Sequence, residues 1–444
     1  MVDTGATAWV LTSAALVLLM TPGLALFYGG MVRPKSVLNM MMMSFGALAL
    51  IGVLWVLYGY SMAFGDDVGG GLLGDPTQYL GLKGLMEDTT SEAGGLPAMA
   101  FVGFQAAFAI LTVALISGAI ADRVKFSTWM VFAGIWATLV YFPVAHWVFD
   151  FSNDETGHVG GWIANGIEAV DFAGGTAVHI NAGVAGLVLA IIIGKRRGFG
   201  REPMRPHNLP LVMLGAGLLW FGWFGFNAGS ALGANNTASV VWVNTLVATS
   251  AAILGWLLTE RLRDGHATSL GAASGAVAGL VAITPACSAL NPIGSIVVGA
   301  LAGVLCALAV GLKYKFGYDD SLDVVGVHLV GGLWGTLAIG FFAVENAPQG
   351  ASGLFDGGGL ALLGTQAVGA GAVLAYSAVL TAIIGFALKA VMGWRIPEED
   401  EVSGIDQHQH AESGYDLVGS FGGHGPSAGP VARSTTRTSE GAQA

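Results

Sequence analysis

Cysteine and charge are the scarce residues of this chain. Two cysteines, Cys287 and Cys306, stand among 444 residues. That is too few for a disulfide framework or a thiolate metal cluster. Asp, Glu, Lys and Arg together make up only 11% of the chain, which excludes an ordinary soluble globule. The apolar stretches hold few carboxylates, so the Asp/Glu relay of a sodium or proton antiporter is poorly supported. There is no Walker loop and no HExxH. GAASG (271–275) has one residue too many for a G-x-S-G nucleophile, which leaves a membrane enzyme as the least supported class. No third Cys, His or carboxylate recurs at ligand spacing, so neither a metal nor another cofactor is expected.

What fills the chain is apolar and small. Hydrophobic residues make up 54% and glycine contributes 69 positions, with a mean hydropathy of +0.68. A bilayer takes about 20 apolar residues per helix. Eleven such spans run at roughly 8–30, 37–63, 98–120, 127–149, 173–194, 209–229, 237–259, 268–286, 293–313, 324–344 and 361–391. The expected fold is therefore an all-α polytopic membrane protein of eleven transmembrane helices. Its many Gly and Ser residues suit close helix contact in lipid.

Basic residues fall in alternate loops: Arg33 and Lys35, Arg123 and Lys125, the run 195–205, Arg261 and Arg263, Lys313 and Lys315, then Lys389 and Arg395 after the last span. Only Lys83 lies in an opposite loop. Those loops are acidic, with Asp66, Asp67, Asp75, Glu87, Asp88, Glu92, Asp150, Asp154 and Glu155. The positive-inside rule then places the N-terminus outside and the C-terminus inside. The net charge of −11 belongs to outer loops and tail and points to no nucleic-acid partner. The start Met1-Val2-Asp3 lacks a basic n-region, and the run behind it is long enough to span, so no signal peptide is expected.

Two histidines lie deep in apolar spans, in one local frame. His179 precedes Gly183 and Gly186; His328 precedes Gly332 and Gly335; each is His-x3-Gly-x2-Gly. An ionisable ring at bilayer depth costs roughly 2.5 kcal/mol or more when charged, so it faces a pore or cavity. Two neutral imidazoles sharing a hydrogen bond would fix complementary tautomers. The matched frames, with aromatic and small residues in both spans one and six, suggest a five-plus-five inverted repeat. Its halves run at about 8–194 and 209–344, with a site at the midplane and the helix 361–391 as an extra strap. Asp171, eight residues before His179, reads as a helix cap or as an electrostatic support for a cation or proton. Asp323 is expected to be the matching cap of the second half. Phe104 and Phe108 share a face of span three, Trp147 and Phe149 end span four, and Phe226 lies in span six one turn from Ser230. If they converge, they form a cation–π cage of roughly 0.5–2 kcal/mol. An apolar bore with two neutral histidines suits a small neutral molecule able to hydrogen-bond, such as ammonia.

The chain resembles the ammonium transporter family (Amt/Mep/Rh), in its bacterial branch, from about residue 8 to about 416. The resemblance rests on PGLALFYGG (22–30), FQAAFAILT (104–112), DFAGGTAVHIN (171–181), WFGFNAGS (223–230), GLVAITPAC (279–287) and DVVGVHLVGG (323–332). It implies a homotrimer in the plasma membrane with one pore per subunit, carrying NH4+/NH3 and methylammonium. Phe108, Ser230, Phe104 and Asp171 would serve recruitment, and Phe108 with Phe226 the pore gate. His179 and His328 would be the twin histidines, with Phe27, Tyr28, Trp223 and Val324 as further pore-lining positions. The family usually carries a Trp at the outer end of span four. Aligned through PVAHWVF (143–149), that position is Phe149 here, so Phe149, Trp147 or Trp162 fills the role. Residues 1–394 would form the transport domain and 395–416 a cytoplasmic regulatory tail packed under a neighbouring subunit. Residues 417–444, rich in Gly, Ser, Thr and Ala, would be disordered. A PII-type signalling protein would dock at the cytoplasmic face, on the basic run 195–205. Two other readings stand beside transport: an ammonium sensor, which the short tail disfavours, and an Rh-type neutral gas channel, which the aromatic residues disfavour.

Overall fold

The computed structural model describes residues 2–87 and 95–415. The segment 417–444, Asp88, Glu92 and Asp416 lie outside the described residues. Those described form helices and loops, with no strand among them. Ten helices are long and apolar enough to cross a membrane: α1 (Thr4–Met31), α2 (Val37–Phe64), α3 (Ala98–Ile120), α4 (Phe126–Phe149), α5 (Gly175–Ile193), α6 (Leu209–Gly229), α7 (Asn236–Asp264), α9 (Pro292–Phe316), α10 (Val325–Phe342) and α11 (Ala361–Val391). The shorter α8 (Ser269–Ile283) is the remaining apolar helix, so the eleven expected spans are all present as helices. Two short helices, α12 (Glu398–Ser403) and α13 (Ile405–His410), make the tail.

Helices dominate because lipid offers no partner to a free backbone group. Their exposed first N–H groups are met by side chains. Asp3 accepts from Ala6, Asn208 from Leu211, Asn235 from Ala238, Thr268 from Gly271 and Asn291 from Gly294. Span eight is the exception to the expected lengths. Its helix ends at Ile283, and the segment after it folds into turns before α9.

The helices pack through glycine. A Cβ on Gly215 of α6 would meet the backbone of Phe27 in α1, and one on Gly23 would lie 3.1 Å from Leu218. α11 lies against α4, α5 and α10, as a strap across these elements would. The described part of the tail docks on its own chain. Asp406 accepts from the backbone N–H groups of Leu38 (3.0 Å) and Asn39 (2.8 Å), capping α2. The backbone N–H of Phe126 at the start of α4 donates to Gln409 Oε1.

Arg123, expected in a solvated basic loop, is fully buried. Its guanidinium donates to the carbonyls of Ala121, Ala119 and Asp319 and to Ser321 Oγ. Arg196 is buried beside it, ion-paired with Asp319 (2.8 Å) and Asp122 (3.1 Å). Part of the basic run 195–205 is therefore structural mortar and no docking surface. Only its neighbours, such as Lys195, Arg197 and Arg201, stand exposed.

Candidate transport site

Both histidines sit in π-helical turns: His179 in Gly175–Ile180 and His328 in Val325–Leu329. Such turns widen the helix by one residue and recur at functional sites. The Nδ1 atoms of the two rings lie 3.3 Å apart, and the rings stack with centroids 5.3 Å apart at 28°. One Nδ1 must donate and the other accept. Whichever tautomer pair forms, one Nε2 then presents a lone pair and the other an N–H. His179 Nε2 is buried with no hydrogen-bond partner among the described residues.

The glycines of the shared frame explain how the rings meet. Gly183, four residues after His179, lies where a Cβ would be 2.5 Å from the backbone nitrogen of Leu329, the residue next to His328. Gly332, four residues after His328, would put a Cβ 3.0 Å from that of His179. Each histidine's fourth neighbour is the gap through which the other histidine's helix approaches.

Asp171 caps α5 from outside the helix. One carboxylate oxygen accepts from Gly174 (2.8 Å) and Gly175 (2.6 Å), the other from the backbone N–H (2.7 Å) and hydroxyl of Thr176. Gly174 turns the chain in left-handed conformation, at φ 118°. At the start of α10 the cap is Asp320, which accepts from Val324 (3.1 Å) and Val325 (2.8 Å). This corrects the expectation for Asp323, which takes a positive φ of 65° and pairs instead with Lys313 Nζ at 2.6 Å. The signal was in the sequence. Asp320 precedes His328 by the same eight residues that separate Asp171 from His179.

The aromatic residues are brought together in part. Phe108 and Phe226 stack, centroids 4.1 Å apart and planes 23° apart. Phe104 lies edge-on behind Phe108 at 4.9 Å and is fully buried. Phe149 is half-buried, 6.3 Å from Phe108 and edge-on to it; its ring also lies over Gly174, next to the Asp171 turn. Trp147 turns elsewhere. Its indole donates to the Leu72 carbonyl and packs on Tyr376 and Trp162. Ser230, half-buried, donates to the Phe226 carbonyl at 2.8 Å, leaving its lone pairs free to accept.

From Phe226 the rings lead to the histidines. His179 stacks on Phe226 (6.1 Å) and Trp223 (5.4 Å), and Trp223 is anchored by its N–H to Thr284 Oγ1. Beyond His328 lies a cavity of about 10 Å³, room for a single water-sized molecule. Phe27, Tyr28, Val327, Ser274 and Asp323 line it together with His328. Val324 packs instead toward Gly186 of α5. Ser274, Thr176 and Thr284 carry no motif that marks them for this path, Asp320 is marked only by its spacing from His328, and Asp323 lines the path without capping a helix. The partners of Thr176, Thr284, Asp320 and Asp323 come from a distant part of the chain or from an irregular turn.

Apolar helices enclosing a narrow file of rings, with two facing histidines at its centre, define a multi-pass membrane protein built to pass a small hydrogen-bonding solute. Comparison with known proteins gives the family: the model of the Ammonium Transporter Family matches residues 8–415, and the chain belongs to that family, a transporter rather than an enzyme. An ammonium transporter of Mycobacterium bovis is 63% identical over 436 residues, covering 94% of this chain and 91% of its own. One of Aquifex aeolicus is 51% identical over 420 residues, covering 94% of each. Among solved structures, Saccharomyces cerevisiae Mep2 superposes with a TM-score of 0.80 at 34% identity, over 89% of this chain and 91% of that one. A structure titled "Sensor Amt Protein" does so at 0.83 with 27% identity, over 91% and 98%.

Proposed function

We propose that this transporter recruits NH4+ at the mouth formed by Phe108, Phe149 and Ser230, with Phe104 behind, and strips its proton near Asp171. Ammonia then passes between Phe108 and Phe226 and along His179 and His328. In this reading the N-terminus and the Phe149 mouth face outward and the tail inward. The two halves form an inverted repeat, with one histidine from each.

The observation that carries the mechanism is the His179–His328 contact at 3.3 Å inside an aromatic and aliphatic lining. A bare ion in such a bore lacks a compensating charge. Ammonia both donates and accepts, so it matches the alternating lone pair and N–H that a tautomer pair presents. Asp171 fits an electrostatic role, because its oxygens are spent on the α5 N–H groups and leave no direct ligand for the cation. Methylammonium would follow the same route. Assembly as a homotrimer and docking of a PII-type protein on the cytoplasmic face belong to the same proposal. They are supported by family membership and, for docking, by the exposed Lys195, Arg197 and Arg201.

Transport is favoured over sensing. The relatives at 63% and 51% identity are named ammonium transporters, whereas the neighbour titled as a sensor is at 27%. The test is selective uptake by purified protein in liposomes. Replacing both His179 and His328 with Ala is expected to abolish selective methylammonium uptake at normal expression. Undiminished selective uptake overturns the mechanism.

A further inference from the structure

The turn that carries Asp171 is held from behind by the eleventh helix. Gln366 of α11 is completely buried. Its Oε1 accepts from the backbone N–H of Val170 at 2.7 Å, and its Nε2 donates to the Val170 carbonyl at 2.7 Å and to the Thr336 carbonyl of α10 at 3.2 Å. The side-chain amide thus engages both backbone polar groups of the residue immediately before Asp171. Residues 170–174 are not helical, and irregular backbone at membrane depth needs partners other than lipid for its polar groups. The Asp171 carboxylate is fixed on one side by Gly174, Gly175 and Thr176 and on the other by Gln366.

The second half uses the same device with different residues. Asp320 caps α10, and the carbonyl of the preceding Asp319 accepts from buried Arg123 at 2.7 Å. In each half a buried donor from another element grips the residue upstream of the capping aspartate. For Asp320 that donor lies between α3 and α4. For Asp171 it comes from α11, the helix that neither half contains.

We propose that Gln366 is a positioning residue for ammonium transport, holding Asp171 at the place where the substrate gives up its proton. The inference rests on the role given to Asp171 above. The test uses full-length purified protein in liposomes, with ammonium uptake measured against concentration and pH and each variant expressed relative to wild type. Gln366→Leu is expected to lower the maximal rate at least ~10-fold while the half-saturation concentration stays within about 2-fold, as when an interaction serving the transfer step alone is lost. Ser377→Ala removes a different buried hydrogen bond of α11, from Ser377 Oγ to the Asn181 carbonyl of α5, without touching the Asp171 turn; it is expected to change neither quantity. Gln366→Glu supplies a readout that packing alone would not move. A protonated carboxyl can accept from Val170 N–H and donate to its carbonyl as the amide does; an ionised one cannot donate. Its relative rate is expected near wild type in acid and to fall as pH rises, and this arm stands even where Gln366→Leu fails to fold. A wild-type maximal rate in Gln366→Leu, or an equal loss in Ser377→Ala, overturns the proposal. Asp171→Asn separates the two levels: wild-type uptake there removes the role of Asp171 itself, whereas loss there with an intact Gln366→Leu rate removes only the role of Gln366.

Discussion

Phe149 ends α4 beside Phe108, and its geometry gives the proposed recruitment role a measurable consequence. The ring is half-buried, edge-on to Phe108 and seated over Gly174. Trp147, the other candidate, is committed to Leu72, Tyr376 and Trp162, and Trp162 packs with Trp147. Trp offers a stronger cation–π face than Phe, by a fraction of the roughly 0.5–2 kcal/mol such contacts supply. Phe149→Trp is therefore expected to lower the half-saturation concentration for methylammonium about 3-fold with little change in maximal rate. Trp147→Phe should leave affinity for the cation unaltered. Both follow from concentration-dependent uptake in liposomes, and an affinity change confined to Trp147→Phe would move the recruitment role to that residue. This choice was not legible from the sequence, because direction within a helix end depends on which loop supplies a partner, here Leu72 from 75 residues upstream.

At the scale of the helix, the His-x3-Gly-x2-Gly frame describes a crossing. A Cβ at Gly183 would meet Leu329 at 2.5 Å from its nitrogen and 2.7 Å from its Cα, which are backbone atoms that cannot rotate away. Gly183→Ala must therefore push α5 from α10 and stretch the histidine contact. Overpacking of this kind costs roughly 1–3 kcal/mol. The expected outcome is at least a ~10-fold loss of selective uptake, on the premise that positioning errors of about 1 Å can be this costly, with a lowered melting temperature. Gly217→Ala on α6 meets nothing within 4 Å and serves as the neutral comparison. Equal uptake by the two variants would separate the glycine frame from transport. The spans themselves were legible because hydropathy reports burial in lipid residue by residue. The paired histidines and glycines were legible because two apolar spans carry them at one spacing. The π-helical turns under both histidines were not, since no residue type marks a turn widened by one backbone position. Gln366 was not legible for a related reason. A lone amide in an apolar helix gains meaning only from the backbone it meets, 196 positions away in sequence.

Across the whole molecule, the second half is anchored to the first by a buried charge network at the end opposite the Phe149 mouth. Arg123 reaches the Asp319 carbonyl and Ser321, while Arg196 is paired with both Asp319 and Asp122. Positive-inside counting sees these arginines only as loop charge; burial turns them into a bolt between loops distant in sequence. Burial pushes the Asp319 carboxyl up, but hydrogen bonds from Arg196 and the charges of Arg196 and Arg123 outweigh it and hold the group below its ordinary 3.8. A carboxylate depressed in the fold lends stability that is complete above its unfolded value and drains away only as pH falls through the lower, folded one. The melting temperature of the detergent-solubilised protein should therefore carry the full Asp319 contribution, with no pH dependence from this group, between about pH 8 and about pH 5, and a decline from it below about pH 4. Asp319→Asn keeps the shape but strips the negative charge from two buried guanidinium groups. Breaking such a network typically costs about 3–5 kcal/mol, so the variant should melt several degrees lower at neutral pH and lose its share of the acid decline. A melting temperature within about 1 °C of the parent, against the several degrees such a loss commands, would mean that Asp122 alone can neutralise the cluster and that the two halves are joined chiefly by the apolar packing of α1 on α6.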